Sequence, residues 1–137
     1  MSETPITFPH GLVGCETWKH FVLVETPGEP IQQLLCLDAP HIGFLITEAA
    51  AVCPGYRVEL TEADEQTLAC GDDTPLEVYC TLTLHREPPM LTANLLGPLV
   101  INRAAGVGKQ LVLVNSGYPL KHPVVDRLPE RAHAHSY

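Results

Sequence analysis

Apolar and polar residues alternate over short distances along this chain, and Pro, Gly, Asp or Asn residues separate the resulting stretches. The pattern predicts strands at residues 6–8, 21–24, 31–37, 43–47, 56–60 and 76–84. In the last strand we expect a single apolar face, formed by Leu76, Val78, Cys80, Leu82 and Leu84. Many short strands separated by turns indicate a mostly β fold, an antiparallel barrel or sandwich.

One helix interrupts this β pattern. Thr61 fits an N-cap and Asp64, at the third helical position, completes a capping box, while Glu62 and Glu65 suit the positive end of the helix dipole. We expect the helix to end at Gly71, a residue typical of C-caps. Residues 49–52 are predicted to form a second short helical turn.

The length and charge of the chain narrow the possible functions. A chain of 137 residues with 45% hydrophobic residues fits one globular domain. Its formal net charge is −8, which argues against direct nucleic-acid binding because such proteins carry basic patches. The charge is unevenly distributed: residues 1–87 hold 14 of the 16 acidic residues but only three of the eight basic ones.

Seven acidic residues are concentrated in one stretch, residues 59–77, which we call the acidic segment. They are Glu59, Glu62, Asp64, Glu65, Asp72, Asp73 and Glu77, and the stretch contains neither Lys nor Arg. It lacks the ligand spacing of a calcium loop. Two interpretations remain: a solvated surface, or a docking face for a basic protein.

Stretches that could carry catalysis or bind a cofactor fail on spacing. The glycine-rich residues 106–109 lack the first Gly of a phosphate loop and the Ser or Thr that follows its Lys, which favours a hairpin turn. His133 and His135 could supply two metal ligands but no third. The five cysteines show no zinc-type spacing, and no nucleophile elbow occurs. We therefore expect no enzyme activity, no cofactor and no metal site.

Targeting signals are also absent from the sequence pattern. The N-terminus has neither the basic region nor the apolar run of a signal peptide, and no apolar stretch approaches the roughly 20 residues that cross a membrane. The chain is predicted to be cytoplasmic, with reduced thiols and with Cys36 and Cys80 buried.

The most specific pattern lies in residues 92–123. Two apolar stretches end at Asn94 and Asn102, Pro98 lies between them, and Gln110 and Tyr118 follow. Together with the opening motif of residues 6–14 and with residues 54–60, this pattern resembles the flagellar assembly factor family FliW over residues 5–123. The chain departs from the family at Cys36, where Ser is usual, and at residues 47–49, where an acidic residue followed by Pro is usual.

This resemblance implies a compact, barrel-like domain at residues 1–123, monomeric when free and without catalytic activity. Residues 124–137 are polar and without periodicity, so we expect a flexible tail. The resemblance also implies two protein partners, flagellin and the RNA-binding translational repressor CsrA. In the family, FliW lowers the affinity of CsrA for flagellin mRNA without occupying the RNA-binding site of CsrA. Newly made flagellin captures FliW and frees CsrA, so that translation follows flagellin secretion.

We hypothesise that the acidic segment contributes to the surface that faces CsrA, because CsrA-type proteins meet RNA through basic surfaces. The five motif residues are expected to hydrogen-bond the backbone and shape loops rather than contact partners; they are Asn94, Pro98, Asn102, Gln110 and Tyr118. Two other classes stay open. A small-ligand-binding β-barrel would show a large apolar cavity, and an uncharacterised enzyme would show a cleft with perturbed titratable residues.

Overall fold

The structure, a computed structural model, describes residues 1–125 of the chain. These residues form nine strands and two short helices. The strands are β1 (Ser2–Thr7), β2 (His20–Glu25), β3 (Gln32–Cys36), β4 (Gly43–Glu48), β5 (Glu77–Arg86), β6 (Pro89–Ala93), β7 (Leu99–Asn102), β8 (Val107–Gln110) and β9 (His122–Pro123). The helices are α1 (Ala49–Val52) and α2 (Glu62–Thr67).

Seven of the strands close into a barrel, in the order β4-β3-β2-β1-β8-β7-β5, and β5 pairs back with β4. Strands β6 and β9 continue the sheet outward from β5. All pairings are antiparallel except the short contact between β1 and β8 at Thr7 and Val107. The structure confirms the predicted mostly β, barrel-like domain with two short helices.

The barrel interior is apolar and tightly packed. Its buried residues come from every strand around the barrel except β8, where Gly108 leaves room for the ring of Phe8. A Cβ at Gly108 would lie only 2.7 Å from Phe8 Cζ. Phe8 also meets Phe21 edge to face, with ring centroids 5.2 Å apart. Leu12, in the loop between β1 and β2, closes this end of the barrel.

Two layers cover the outside of the barrel. Near α1, the outward residues of β5 and β6 pack under Tyr56 and Tyr118. On the opposite flank of β5, residues 58–76 cover β7 and β8, and Leu68 is fully buried there against Val100 and Leu111. Apart from Glu77, which is the first residue of β5, the acidic segment is therefore an outer layer of the barrel and not part of its sheet.

The predicted strand at residues 56–60 is wrong, although its alternation is real. Val58 and Leu60 are half-buried while Arg57 and Glu59 are exposed, as a half-buried strand would have them. No other described strand pairs with this stretch. The alternation of buried and exposed residues therefore reflects an extended backbone that lies on the barrel. Side chains of an extended backbone alternate in direction whether or not it hydrogen-bonds to a neighbouring strand.

The predicted single apolar face of β5 is also wrong. Tyr79, which we placed on the polar face, is fully buried inside the barrel, whereas Cys80 is buried on the other side under the α1 layer. Leu84 is 68% exposed because the pairing of β4 with β5 ends at Leu82. Both faces of the first half of β5 are covered by other residues, so the prediction of one buried and one exposed face does not hold there.

Helix α2 begins as predicted and ends earlier. Thr61 and Asp64 form the expected capping box, but the helix stops at Thr67, four residues before Gly71. The left-handed residue is Ala69, with φ of 51°. The side chain of Asn102 donates hydrogen bonds to the carbonyl oxygens of Leu68 and Ala69, and these tertiary bonds replace the glycine cap. Helix α1 confirms the short helical turn predicted at residues 49–52. The hairpin turn predicted at residues 106–109 lies at residues 103–106 instead, because residues 107–109 belong to β8 and pair with β7.

Most of the predicted tail, residues 126–137 with His133 and His135, lies outside the described residues. Val124, at its start, donates a backbone hydrogen bond to the carbonyl oxygen of Leu91. Among the described residues, no helix is both long enough and apolar enough to span a bilayer.

Candidate functional site

The acidic segment occupies α2, the turns that flank it and the first residue of β5. Four of its carboxylates are exposed, at Glu59, Glu62, Asp72 and Asp73. Glu65 and Glu77 are half-buried, and Asp64 is buried. The segment thus combines a charged outer surface with two acidic positions that face the barrel.

Asp64 joins α2 to the barrel. Its Oδ2 accepts the backbone N–H of Thr61 to close the capping box, and its Oδ1 accepts from Lys109 Nζ at 2.6 Å. Burial raises the pKa of Asp64, but the hydrogen bonds from Lys109 and Thr61 outweigh this and hold the pKa below its ordinary value. Asp64 is therefore charged at neutral pH and already paired.

Glu77 is held in a second ion-paired cluster. Arg103 forms a bidentate contact with Glu77: Nε donates to Oε2 and Nη2 donates to Oε1, both at 2.7 Å. Arg103 Nη1 also donates to Glu25, and the hydroxyl of Tyr79 donates to Glu77 at 2.6 Å. The hydrogen bonds that Arg103 donates to Glu77 are the main reason that the pKa of Arg103 is raised above its ordinary value.

The remaining acidic residues carry charge without such pairing: within residues 1–125, none of Glu59, Glu62, Glu65, Asp72 and Asp73 forms an ion pair. The two basic partners, Arg103 and Lys109, come from the C-terminal, basic half of the chain. Sequence reasoning noticed this uneven charge distribution but missed both pairs, because contacts 26 and 45 residues apart are set by the fold.

Two of the motif residues meet around Gly97. Asn94 Oδ1 accepts the backbone N–H groups of Leu96 and Gly97. Gln110 Nε2 donates to the carbonyl oxygen of Gly97, and its Oε1 accepts from the backbone N–H of Val13 at 2.8 Å. Gln110 therefore links the loop that closes one barrel end to the turn before β7.

Asn102 connects β7 to the acidic segment. It is buried, donates to the backbone just after α2 as described above, and accepts the backbone N–H of Ala105 through Oδ1. Its side chain thereby uses both donor and acceptor atoms on main-chain groups.

Tyr118 and Pro98 also contact backbone groups. The Tyr118 hydroxyl accepts the N–H of Arg57 at 3.3 Å, and its ring packs on Tyr56 with centroids 4.5 Å apart. The carbonyl oxygen of Pro98 accepts from Leu111 N. The structure thus brings all five motif residues into loop and backbone contacts.

The described residues also bear on metal binding and on the reactivity of the thiols. No three or more His, Cys, Asp or Glu side chains among them are grouped so that they could hold a metal ion. The cysteines are free thiols, and burial raises the pKa of Cys80 to about 12, which disfavours the reactive thiolate.

A cavity of about 460 Å³ opens at the end of the barrel away from Leu12. We call it the barrel mouth. It is lined by Ser2, Glu25, Pro75, Glu77, Arg103 and Ala104. It was not predicted from the sequence, since its walls come from four separate places in the chain.

Comparison with known proteins gives one consistent result. The family model described as FliW protein matches residues 1–124. The flagellar assembly factor FliW of Bdellovibrio bacteriovorus is 30% identical over 94% of this chain and 74% of its own length, and that of Pseudothermotoga lettingae is 32% identical over 92% and 81%. A crystal structure of the flagellar assembly factor FliW superposes with a TM-score of 0.78 at 30% identity, covering 89% of this chain and 86% of that one. The chain therefore belongs to the FliW family of flagellar assembly factors.

Proposed function

We propose that this protein is a non-enzymatic regulator of flagellar assembly that binds flagellin and a CsrA-type translational repressor in exchange. When CsrA is bound to the protein, its affinity for flagellin mRNA falls by an allosteric mechanism. Flagellin that accumulates in the cell binds the protein in place of CsrA. The released CsrA then represses flagellin translation until secretion lowers the flagellin concentration. We place this exchange in the cytoplasm and the free protein as a monomer.

The observation that carries the proposal is the unpaired charge of the acidic segment. Five carboxylates without ion pairs among the described residues project from one outer layer: Glu59, Glu62, Glu65, Asp72 and Asp73. Unpaired surface charge of one sign attracts an oppositely charged partner at long range and speeds association. A repressor that binds RNA through a basic surface is such a partner.

The way the acidic segment is attached supports a docking role. Asp64 and Glu77 are ion-paired to the barrel, and Leu68 is fully buried beneath the segment. These contacts hold the backbone of the charged surface in one place, so less conformational entropy is lost on binding. We therefore assign partner contact to the five carboxylates named above and no longer to Asp64 and Glu77, because these two are ion-paired to Lys109 and Arg103.

The exchange is tested by mixing purified proteins. The protein is titrated with CsrA and with flagellin from the same organism by isothermal titration calorimetry, and the preformed CsrA complex is then challenged with flagellin. We expect binding to both and release of CsrA by flagellin. Binding to neither, or simultaneous binding of both without displacement, would contradict the proposed exchange.

The surface is tested with a charge variant that leaves the fold contacts intact. In Glu62→Gln/Glu65→Gln, two exposed or half-buried carboxylates are neutralised without touching Asp64. We expect the affinity for CsrA to fall about tenfold at low salt and less at high salt, because each rim charge contributes modestly and is screened. The matched control Glu3→Gln/Glu29→Gln removes two exposed charges elsewhere. Equal affinity of both variants for CsrA would refute a role of α2.

A further inference from the structure

The seam between β1 and β8 is the shortest strand pairing that closes the barrel. These two strands are aligned at one residue pair, Thr7 and Val107, whereas every other neighbouring pair around the closed barrel is aligned over three to six residue pairs. The pairing is also parallel, which is slightly less stable per residue than antiparallel pairing. Parts of a protein with few protected hydrogen bonds open at lower free energy than its core.

Towards the barrel mouth, β1 and β8 share no further pairing within residues 1–125. Residues 2–6 of β1 continue there opposite the turn at residues 103–106. Pro5 has no backbone N–H to donate, and the N–H of Gly106 is used inside the turn, by the carbonyl oxygen of Arg103 at 3.2 Å. The two main chains nevertheless lie close, since a Cβ at Gly106 would be 3.3 Å from the carbonyl oxygen of Pro5. This part of the seam therefore depends on side chains.

Arg103, in the turn, bridges this part of the seam. Its Nη1 donates to Glu25 of β2 and, at 3.4 Å, to Thr4 Oγ1 of β1. Its Nε and Nη2 donate to Glu77, on the same side of the seam as the turn. The cavity of the barrel mouth lies between the two sides, with the start of β1 and the end of β2 on one wall and the start of β5 and the turn on the other. A gap of this kind supplies no packing contacts across it.

The opposite end of the seam is closed more firmly. The ring of Phe8 fills the space beside Gly108 inside the barrel, and Gln110 links β8 to the loop after β1. Opening therefore starts at the barrel mouth and reaches as far as Thr7, whose N–H donates to the carbonyl oxygen of Gly106 at 2.8 Å.

The turn side of the seam holds the acidic segment. Arg103 is bound to Glu77, the last residue of the segment, and Asn102 donates to the carbonyl oxygens of Leu68 and Ala69 just after α2. A displacement of the turn away from β1 therefore changes the position of the acidic segment relative to β1 and β2.

We propose that the seam opens locally from the barrel mouth and that a basic partner bound to the acidic segment holds it closed. The closed seam fixes the exposed carboxylates in one arrangement. A partner that binds this arrangement better than the open one shifts the equilibrium towards the closed seam. The opening itself needs no partner, whereas its coupling to binding rests on the proposed function.

The opening is tested by native-state hydrogen exchange of the wild-type full chain, followed by NMR without any partner. Thr7 and Phe8 are adjacent, but the N–H of Thr7 bonds across the seam, whereas the N–H of Phe8 donates to the carbonyl oxygen of Lys19 at 2.7 Å, beside β2. We expect the protection factor of Thr7 to be at least about tenfold smaller than that of Phe8. Equal protection would mean that both amides exchange only when the whole barrel unfolds, and would overturn the proposal.

The bridge is tested with two matched variants. Glu25→Gln removes the charge that Arg103 meets across the seam and leaves Glu77 in place, whereas Glu3→Gln removes an exposed charge of β1 that forms no ion pair within residues 1–125. We expect Glu25→Gln to lower the ratio of Thr7 protection to Phe8 protection about fivefold, and Glu3→Gln to leave it unchanged. A fall in global stability alone cannot lower this ratio. A ratio that is the same in Glu25→Gln as in the wild type would refute the bridge.

The coupling is tested by repeating the exchange experiment with CsrA at about 100 times its dissociation constant, measured beforehand by calorimetry. If CsrA binds only the closed seam, the protection factor of Thr7 should rise at least about tenfold. Unchanged protection of Thr7 in the CsrA complex would overturn the coupling. Failure of the wild type to bind CsrA in calorimetry would instead refute the proposed function and the coupling with it, while the exchange of Thr7 without partner separately decides whether the seam opens.

Discussion

The barrel interior and the acidic segment over β7 and β8 are stabilised in different ways. The interior is a continuous apolar cluster of at least eleven buried residues. The acidic segment rests on one fully buried residue, Leu68, a capping box and ion pairs to Lys109 and Arg103. Packing is largely insensitive to pH and salt, whereas ion pairs and caps are not. A charged surface can therefore respond to its surroundings while the barrel beneath it stays closed.

The largest effect is expected in the interior. Phe21 is 1% exposed and contacts the rings of Phe8 and Phe44. Phe21→Ala removes these contacts and leaves a cavity, so we expect the free energy of unfolding to fall by about 4 kcal/mol. Urea denaturation at low and high salt measures it, and the loss should be the same at both. A loss that changed strongly with salt would contradict the distinction between the two regions.

The apolar anchor of the acidic segment comes next. Leu68→Ala should lower the free energy of unfolding by about 3 kcal/mol, because the residue is fully buried beneath α2. The matched control is Leu84→Ala, where the same atoms are removed from a side chain that is 68% exposed; here we expect a change within about 0.5 kcal/mol. Chemical denaturation measures the free energy of unfolding of both variants. Equal losses of this free energy would show that Leu68 does not anchor the acidic segment.

Overpacking at β8 should cost somewhat less. In Gly108→Ala the new Cβ would lie 2.7 Å from Phe8 Cζ, so the ring must move, and we expect a loss of about 2 kcal/mol. Shortening the neighbour in Phe8→Leu should reduce the additional cost of Gly108→Ala, and the coupling is read from a double-mutant cycle of unfolding free energies. Strict additivity would mean that Phe8 is not what excludes the methyl group.

The smallest effect, and the one that depends on pH, is expected at Asp64. Asp64→Asn keeps a side chain that can cap α2 but leaves Lys109 without its carboxylate, which should cost about 1.5 kcal/mol at pH 7. The pKa of Asp64 is below its ordinary value in the folded state. Its contribution is therefore complete above about pH 4 and is lost as the pH falls further.

Thermal unfolding of the wild type and of Asp64→Asn between pH 7 and pH 2 measures this dependence. The difference between the two should shrink below pH 4 as Asp64 becomes protonated in both states. Asp38 is present in both proteins and serves as an internal reference: backbone N–H groups of His20 and Lys19 lower its pKa to about 2. A difference that stays constant down to pH 2 would exclude the ion pair as its source.

Local features were predicted well where neighbouring residues decide them. The capping box at Thr61 and Asp64 and the short helical turn at residues 49–52 formed as expected. A hairpin turn also formed, three residues earlier than predicted, at residues 103–106. Such features depend on side chains and backbone groups within a few residues of one another, and these are visible in the sequence.

The errors share one cause. The end of α2, the second buried face of β5 and the unpaired stretch at residues 56–60 each depend on a partner distant in the chain. For α2 the partner is Asn102, and for β5 it is the closed barrel on one side and the α1 layer on the other. Residues 56–60 pair with no described strand and instead hydrogen-bond to Leu95 and Tyr118. Periodicity shows which side chains are buried but not what covers them.

The residues alone were enough to establish a mostly β domain, its capped acidic helix, its uneven charge and its family, because composition, turn residues and short motifs are local properties. Only the tertiary structure decided that Asp64 and Glu77 are paired with Lys109 and Arg103, that five other carboxylates form no ion pair within residues 1–125, and that a cavity opens at the barrel mouth. These properties arise when strands far apart in the chain close into a barrel. Their energies depend on distances and burial that no local pattern specifies.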